Sequence, residues 1–179
     1  TGFTCCNGTA IESNTKLQNS IYFKDKNNKA LYVNLFIPSV LKWKERNVTI
    51  VQQTNFPKED HTSLTVKGNA EFEVNVRVPG WATKGFFVKI NGKDQKFDTK
   101  PGSYLKIKRN WKNGDVIEIK MPFQFHLDPI MDQQNIASLF YGPILLAAQE
   151  PEARKEWRKI TLNAEDISKS IKGNPEQLH

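Results

Sequence analysis

Both cysteines of the chain stand side by side, as Cys5 and Cys6 in the run from Thr4 to Glu12. Thr9 and Glu12 have the spacing of a capping box, which predicts that a helix begins at this point. The two cysteines would then lie just ahead of the helix, where its dipole and free N–H groups favour thiolate over thiol. Thiolate is the form that attacks carbon or binds metal, so the pair is a candidate reactive site.

Three interpretations of the pair remain open. A disulfide between adjacent cysteines would close a small strained ring, and no third cysteine offers another partner. Two buried structural thiols would be ordinary, because free cysteine is among the most buried residue types. A zinc site would use one sulfur as ligand and the other as both ligand and nucleophile. Two sulfurs cannot complete a tetrahedral site, and the three histidines share no ligand-like spacing with them: His61, His126 and His179.

Other candidates have a plainer interpretation. Asp128 and Asp132 surround Pro129, and a surface or turn position is favoured over a carboxylate pair for glycoside hydrolysis. His126 falls in an alternating segment, which favours a satisfied core or surface histidine over a ligand. The tryptophans could form a platform for stacking sugars, but core positions are favoured because of the apolar area they bury: Trp43, Trp81, Trp111 and Trp157.

The elements that would position these residues are mostly strands. After a helix that presents Ile11 and Leu17 on one weakly apolar face, the apolar period changes to two from Ile21 onward. The alternation predicts strands at 48–54, 64–67, 72–78, 123–127, 137–141 and 144–148, and hairpins that join 86–90 to 95–97 and 104–108 to 116–121. Asn91-Gly92 fits a type I′ turn. About ten strands predict an all-β fold, an antiparallel β-sandwich.

Composition narrows the function classes. The 179 residues contain 26 Lys and Arg against 19 Asp and Glu, a formal charge of +7. Acidic residues are interspersed among the basic ones, so a solvated lysine-rich surface is favoured over a nucleic-acid site. No apolar run reaches transmembrane length, and the chain does not open with a signal peptide, so no membrane partner is expected. The compartment stays open, with periplasmic or extracellular slightly favoured over cytoplasmic.

Several blocks of the sequence together resemble a known family. Thr4 to Thr9, with Glu12-Ser13 and the segment 20–23, is similar to the end of the catalytic barrel in glycoside hydrolase family 127, the beta-L-arabinofuranosidases. Further blocks resemble that family in the same order: 31–39, 77–81, 101–105, 111–115 and 141–145. Ordered blocks over about 150 residues are far more specific than one cysteine pair.

The resemblance implies a domain organisation and a function. Residues 1–23 would be the C-terminal end of an (alpha/alpha)6 catalytic barrel, 24–150 a jelly-roll-like β-sandwich, and 151–179 a linker or the start of a further domain. The parent protein would be a retaining, zinc-dependent glycosidase that releases beta-L-arabinofuranose from plant-type glycans. Its partners would be arabinose-containing oligosaccharides or polysaccharides, and its oligomeric state stays open.

The resemblance also implies roles for the cysteines. Cys5 would be the nucleophile and a zinc ligand, and Cys6 a second zinc ligand. In the family the general acid, a further zinc-binding glutamate and a third cysteine precede this pair, and none of them is in this chain, so the isolated chain is expected to be inactive. Two alternatives stay open: a non-catalytic module, either carbohydrate-binding or purely structural, and a different glycosidase specificity on the same scaffold.

Overall fold

The structure is a computed structural model that describes residues 5–148 and 160–171. The chain forms two compact units that divide between Met121 and Pro122. This division falls inside the predicted 24–150 domain, and the predicted bounds 1–23, 24–150 and 151–179 stay predictions. No helix within the described ranges is long and apolar enough to cross a membrane.

Helix α1 (Cys5–Asn19) confirms the predicted helix but not its predicted start. Cys5 and Cys6 lie in the first turn instead of ahead of it, and Thr9 is inside the helix, so the capping-box assignment is wrong. The Thr and Glu three residues apart are compatible with a helix interior, where Glu12 forms an ion pair of 2.6 Å with Lys16 one turn later.

The first unit continues as a β-sandwich. Its strands are β1 (Tyr22–Lys24), β2 (Ala30–Val33), β3 (Ser39–Trp43), β4 (Val48–Thr54), β5 (His61–Lys67), β6 (Ala70–Val78), β7 (Phe87–Ile90), β8 (Lys93–Gln95), β9 (Ser103–Trp111) and β10 (Val116–Lys120). One sheet has the order β1-β2-β6-β9 and the other β3-β4-β5-β10-β7-β8. All described pairings are antiparallel except that of β2 with β6. The predicted all-β sandwich is confirmed.

The core lies between these two sheets. Every second residue of a strand points inward, so alternating apolar residues from both layers form one buried cluster. Phe72 on β6 lies near its centre, between Trp43 and Trp111 at ring distances of 5.3 and 5.8 Å. Trp111 Nε1 donates a hydrogen bond of 3.0 Å to the Phe72 carbonyl, which satisfies the buried indole.

One predicted hairpin is confirmed and the other is wrong. β7 and β8 pair across Asn91 and Gly92, whose φ angles of 52° and 73° suit the type I′ turn. β9 and β10, predicted as a hairpin, belong to different sheets: β9 pairs with β6, and β10 pairs with β5 and β7. The residues between them do form a turn, but this turn leads from one layer of the sandwich to the other.

A cluster of polar groups around Asp115, at the corner between the two sheets, stabilises the connection from β9 to β10. Asp115, only 7% exposed, accepts hydrogen bonds from Lys112 N at 2.9 Å and from Asn91 Nδ2 at 2.8 Å. Asn91 Oδ1 in turn accepts from Val116 N at 2.8 Å. The hydrogen bond from the Lys112 backbone is the main cause that lowers the pKa of Asp115, with further lowering by Asn91 and Arg109 and an opposing effect of burial. The carboxylate therefore ties the β9–β10 turn to the β7–β8 turn.

The second unit contains a small antiparallel sheet. Its strands are β11 (Phe125–Ile130), β12 (Gln133–Tyr141) and β13 (Ile144–Leu145), followed by helix α2 (Ile167–Ser170). The last predicted strands are confirmed, with β11 and β12 longer than expected. Residues 128–138, the far half of the β11–β12 hairpin, are exposed on both faces. Of the predicted linker or further domain at 151–179, residues 151–159 and 172–179 lie outside the described residues.

We expect the sandwich to fold without α1, because Ile11 is 70% exposed and the described side chains of the helix contribute nothing to the core. Deletion of residues 1–19 keeps Ile21, which is buried and whose carbonyl accepts from Asn34 N at 2.9 Å. The melting temperature should fall by less than about 4 °C, measured by circular dichroism. The control Ile21→Ala should destabilise the full chain by about 2–4 kcal/mol. Loss of the cooperative transition in the deletion would show that α1 belongs to the core.

Candidate functional site

Helix α1 positions the two cysteines. Cys5 and Cys6 occupy its first turn, which contains no acidic residue, so no carboxylate there offsets the positive end of the helix dipole. Ser20 and Ile21 connect the helix directly to β1 at the edge of the four-stranded sheet. The side chains of both cysteines lie outside the described part of the structure, so their assignment as nucleophile and zinc ligands stays a prediction.

The polar side chains along the rest of α1 are engaged on the helix surface. Glu12 pairs with Lys16, so its position is explained without a catalytic role. Ser13 Oγ donates to the carbonyl of Thr9 at 3.0 Å, and Thr15 Oγ1 donates to the carbonyl of Glu12 at 2.8 Å. These contacts account for the polar side chains of Glu12, Ser13 and Thr15 without a catalytic role.

Zinc suits thiolate donors, but this chain offers few of them. Among the side chains that the structure describes, no group of three or more His, Cys, Asp or Glu could hold a metal ion. His61 on β5 lies 3.1 Å from Glu59 through Nε2, and His126 stacks on Phe140 in the second unit at 5.2 Å. Two sulfurs are half of a tetrahedral zinc shell, so Cys5 and Cys6 fit such a site only as two of its ligands.

The remaining sequence candidates are structural. Trp43 and Trp111 are buried in the core, and Trp81 stacks against Phe56 at 6.3 Å while packing on the core. The favoured core interpretation is therefore confirmed for these three, and Trp157 lies outside the described residues. Asp128 is exposed on β11 and Asp132 is exposed in the turn after it, as the surface interpretation predicts. The remaining candidate, His179, lies outside the described residues.

The structure contains a concavity that the sequence analysis missed. It has a volume of about 500 Å³ on the outer face of the six-stranded sheet, and its lining includes Phe87, Lys89, Glu118, Lys120 and His61. These residues come from β7, β10 and β5, which are neighbours only because β10 lies between the other two. The alternation of each strand was visible in the sequence, but the strand order was not.

Another concavity, of about 550 Å³, lies at the four-stranded sheet and has a charged lining that includes Asp25, Arg46, Glu73 and Lys108. Asp25 Oδ1 accepts from Ala30 N at 2.8 Å and from Lys29 N at 2.6 Å. The hydrogen bond from Ala30 is the main cause that lowers the pKa of Asp25. Its carboxylate thus stabilises the β1–β2 turn.

Comparison with known proteins shows first a shared fold and then the family. The fold resembles that of a glycoside hydrolase of known structure, with 24% identity and a TM-score of 0.69, over 79% of this chain and 24% of that one. The family model of the GH127 middle domain of beta-L-arabinofuranosidases matches residues 30–123, more than half of the sequence. The chain belongs to glycoside hydrolase family 127.

Two further structures are similar. A GH127 beta-L-arabinofuranosidase from Geobacillus stearothermophilus T6 has 28% identity and a TM-score of 0.68, over 79% of this chain and 23% of that one. A GH127 beta-arabinofuranosidase has 25% identity and a TM-score of 0.66, over 79% of this chain and 25% of that one. The chain therefore spans about a quarter of the length of these relatives. No curated protein matches it.

Proposed function

We propose that this chain is part of a zinc-dependent retaining beta-L-arabinofuranosidase that acts on arabinose-containing glycans. In this proposal Cys5 is the nucleophile and a zinc ligand, and Cys6 is a second zinc ligand. The observation that carries it is the Cys5-Cys6 pair in the first turn of α1 within a chain that belongs to family GH127. The arabinose specificity is supported by the relatives described as beta-L-arabinofuranosidases.

The chemistry of Cys5 follows from its place on the helix. A thiolate at a helix N-terminus is stabilised by the free N–H groups and the dipole. Its sulfur attacks the anomeric carbon while the bond from that carbon to the leaving oxygen breaks, and a general acid outside this chain protonates that oxygen. Water then attacks the same carbon, its proton passes to the conjugate base of that general acid, and the carbon–sulfur bond breaks to release the thiolate. Two displacements at one carbon retain its configuration.

Zinc, when bound, would act as a Lewis acid that keeps the sulfurs deprotonated at neutral pH. Cys6 would hold the metal beside the nucleophile without attacking the sugar. The other ligands and the general acid would have to come from sequence outside these 179 residues, because the described part of the chain brings no third ligand together.

The isolated chain should therefore not hydrolyse 4-nitrophenyl beta-L-arabinofuranoside, whereas the full-length protein should do so and lose activity with a zinc chelator. The reason is that half of a tetrahedral zinc shell and the general acid are missing from the chain. The measurement is release of nitrophenol with and without added zinc. Zinc-dependent turnover by the isolated chain would contradict the assignment of the missing groups, and a full-length protein that is inactive on this substrate would contradict the proposed specificity.

A further inference from the structure

The concavity on the six-stranded sheet is built from two rows of outward-facing side chains. Phe87 and Lys120 face each other across β7 and β10, and His61 continues the row on β5. In the next row Lys89 lies between Asp94 and Glu118, with Ser63 beyond Glu118. We call these two rows the Phe87 face. They give the concavity one aromatic wall and a set of hydrogen-bonding groups.

Phe87 is exposed and yet held in place. Phe87 is 55% exposed, although burial of a large apolar side chain would lower the free energy of the folded chain. Gly85, with φ of +122°, lets the ring lie against the backbone: a Cβ at this position would be 2.8 Å from Phe87 Cζ. One side of the ring thus lies against the chain at Gly85, which restricts its rotamers, so less side-chain entropy is lost when a ligand stacks on the ring.

The polar groups around the ring carry charges that nearly cancel. Lys89 lies 3.8 Å from Asp94, and Lys120 lies 3.9 Å from Asp60. The backbone of Glu118 belongs to the ladders of β10 with β5 and β7. Its carboxylate has no hydrogen bond or ion pair with any residue that the structure describes, so it can accept from a ligand. Balanced charge, free acceptors and amine donors around an exposed ring suit a neutral ligand that is rich in hydroxyl groups and has an apolar face. A sugar ring has this chemistry.

We propose that the Phe87 face binds one ring of a neutral oligosaccharide. The sugar stacks on Phe87, Glu118 accepts from its hydroxyls, and Lys89 and Lys120 donate to them. The face belongs to the sheet opposite the one that α1 enters through β1. Only the choice of an arabinose-containing glycan as ligand rests on the proposed function.

The test is a titration of the full 179-residue chain, without metal, with α-1,5-linked arabinotriose, followed by backbone amide shifts in NMR. Saturable shifts are expected on β5, β7 and β10. Phe87→Ala should weaken binding by about tenfold or more, because it removes the stacking surface, whereas Phe87→Tyr should stay within about threefold of the wild type. Glu118→Gln should weaken binding because a carboxylate is the stronger acceptor.

Two matched controls come from the other sheet. Phe23 on β1 is 49% exposed, and Glu71 lies on β6, so Phe23→Ala and Glu71→Gln should bind like the wild type. Thermal melting should show that Phe87→Ala remains folded. No saturable shift at millimolar arabinotriose, unchanged affinity in Phe87→Ala, or an equal loss in Phe23→Ala would each overturn the proposal. A negative titration would leave the cysteine chemistry untouched, because hydrolysis by the full-length protein is measured separately.

Discussion

Replacing Cys5 by serine in the full-length protein is expected to lower hydrolysis of an aryl beta-L-arabinofuranoside by about a thousandfold or more, since a serine hydroxyl at neutral pH is a far poorer nucleophile than a thiolate. The fold should survive, because Cys5 lies in a helix whose described side chains are outside the core. Ser13→Ala on the same helix is the control and should keep full activity, since Ser13 Oγ only donates to helix carbonyls.

A comparison of Cys5→Ser with Cys6→Ser distinguishes the roles of the two cysteines. Cys6→Ser should mainly lower the zinc content, because it removes a soft ligand from the site, while Cys5→Ser should retain some metal and lose the covalent sugar adduct. The measurements are zinc by mass spectrometry and peptide mapping after trapping with a mechanism-based inhibitor. An adduct on Cys6 would reverse the roles, and an adduct on a carboxylate would exclude the thiolate mechanism.

Asp115→Ala should lower the free energy of unfolding by about 3 kcal/mol, because two hydrogen bonds to a buried carboxylate are lost at once. Lys112 N and Asn91 Nδ2 would both be left without this partner in the corner between the two sheets. Asp94→Ala is the control: Asp94 is an 83% exposed side chain that pairs with Lys89, and its loss should cost less than about 1 kcal/mol. Urea denaturation measures both, and equal effects would contradict the structural role of the corner.

The stability of the folded chain should decrease as the pH falls. The pKa of Asp115 is lower in the folded state than in the unfolded state. The stabilisation that its ionised carboxylate gives the folded state is therefore fully present above the unfolded-state pKa, and it is lost as the pH falls through the folded-state pKa. Stability of the wild type should therefore decline below about pH 4, and Asp115→Asn should show a shallower decline because its amide does not titrate. Parallel acid limbs for the two proteins would contradict this assignment.

Local structure was largely predictable because its signals are local. β4 was predicted with its observed ends, since Val48 to Thr54 is rich in β-branched residues and is bounded by turns. The β7–β8 hairpin followed from Asn91-Gly92, whose positive φ angles few other residue pairs accept. The start of α1 was misplaced because Thr9 and Glu12 satisfy the capping pattern and the helix interior equally well.

Strand partners were harder to predict, and the Phe87 face was missed for that reason. The residues 113–115 mark a tight turn in either arrangement, whether the chain folds back in the same sheet or crosses to the other. The chain crosses to the other sheet because Trp111 is buried from one layer and Ile117 from the other. This burial arises only when both sheets are assembled, so the local sequence does not reveal it. Once β10 is placed between β5 and β7, Phe87 faces Lys120 and Lys89 faces Glu118. The roles of Cys5 and Cys6 came from the family resemblance and remain proposals.

The parallel pairing of β2 with β6 has a consequence for how fast the molecule folds. Ala30 pairs with Glu73, so a long stretch of chain containing β3, β4 and β5 must be looped out before this ladder can close. Closing such a loop costs entropy before the ladder returns any stabilisation, and topologies of this kind fold in about milliseconds to seconds. The antiparallel hairpins β3–β4 and β4–β5 can form first, because their strands are adjacent in sequence. Until β2 arrives, β6 keeps an open edge that can pair with another chain, so refolding yield should fall as protein concentration rises.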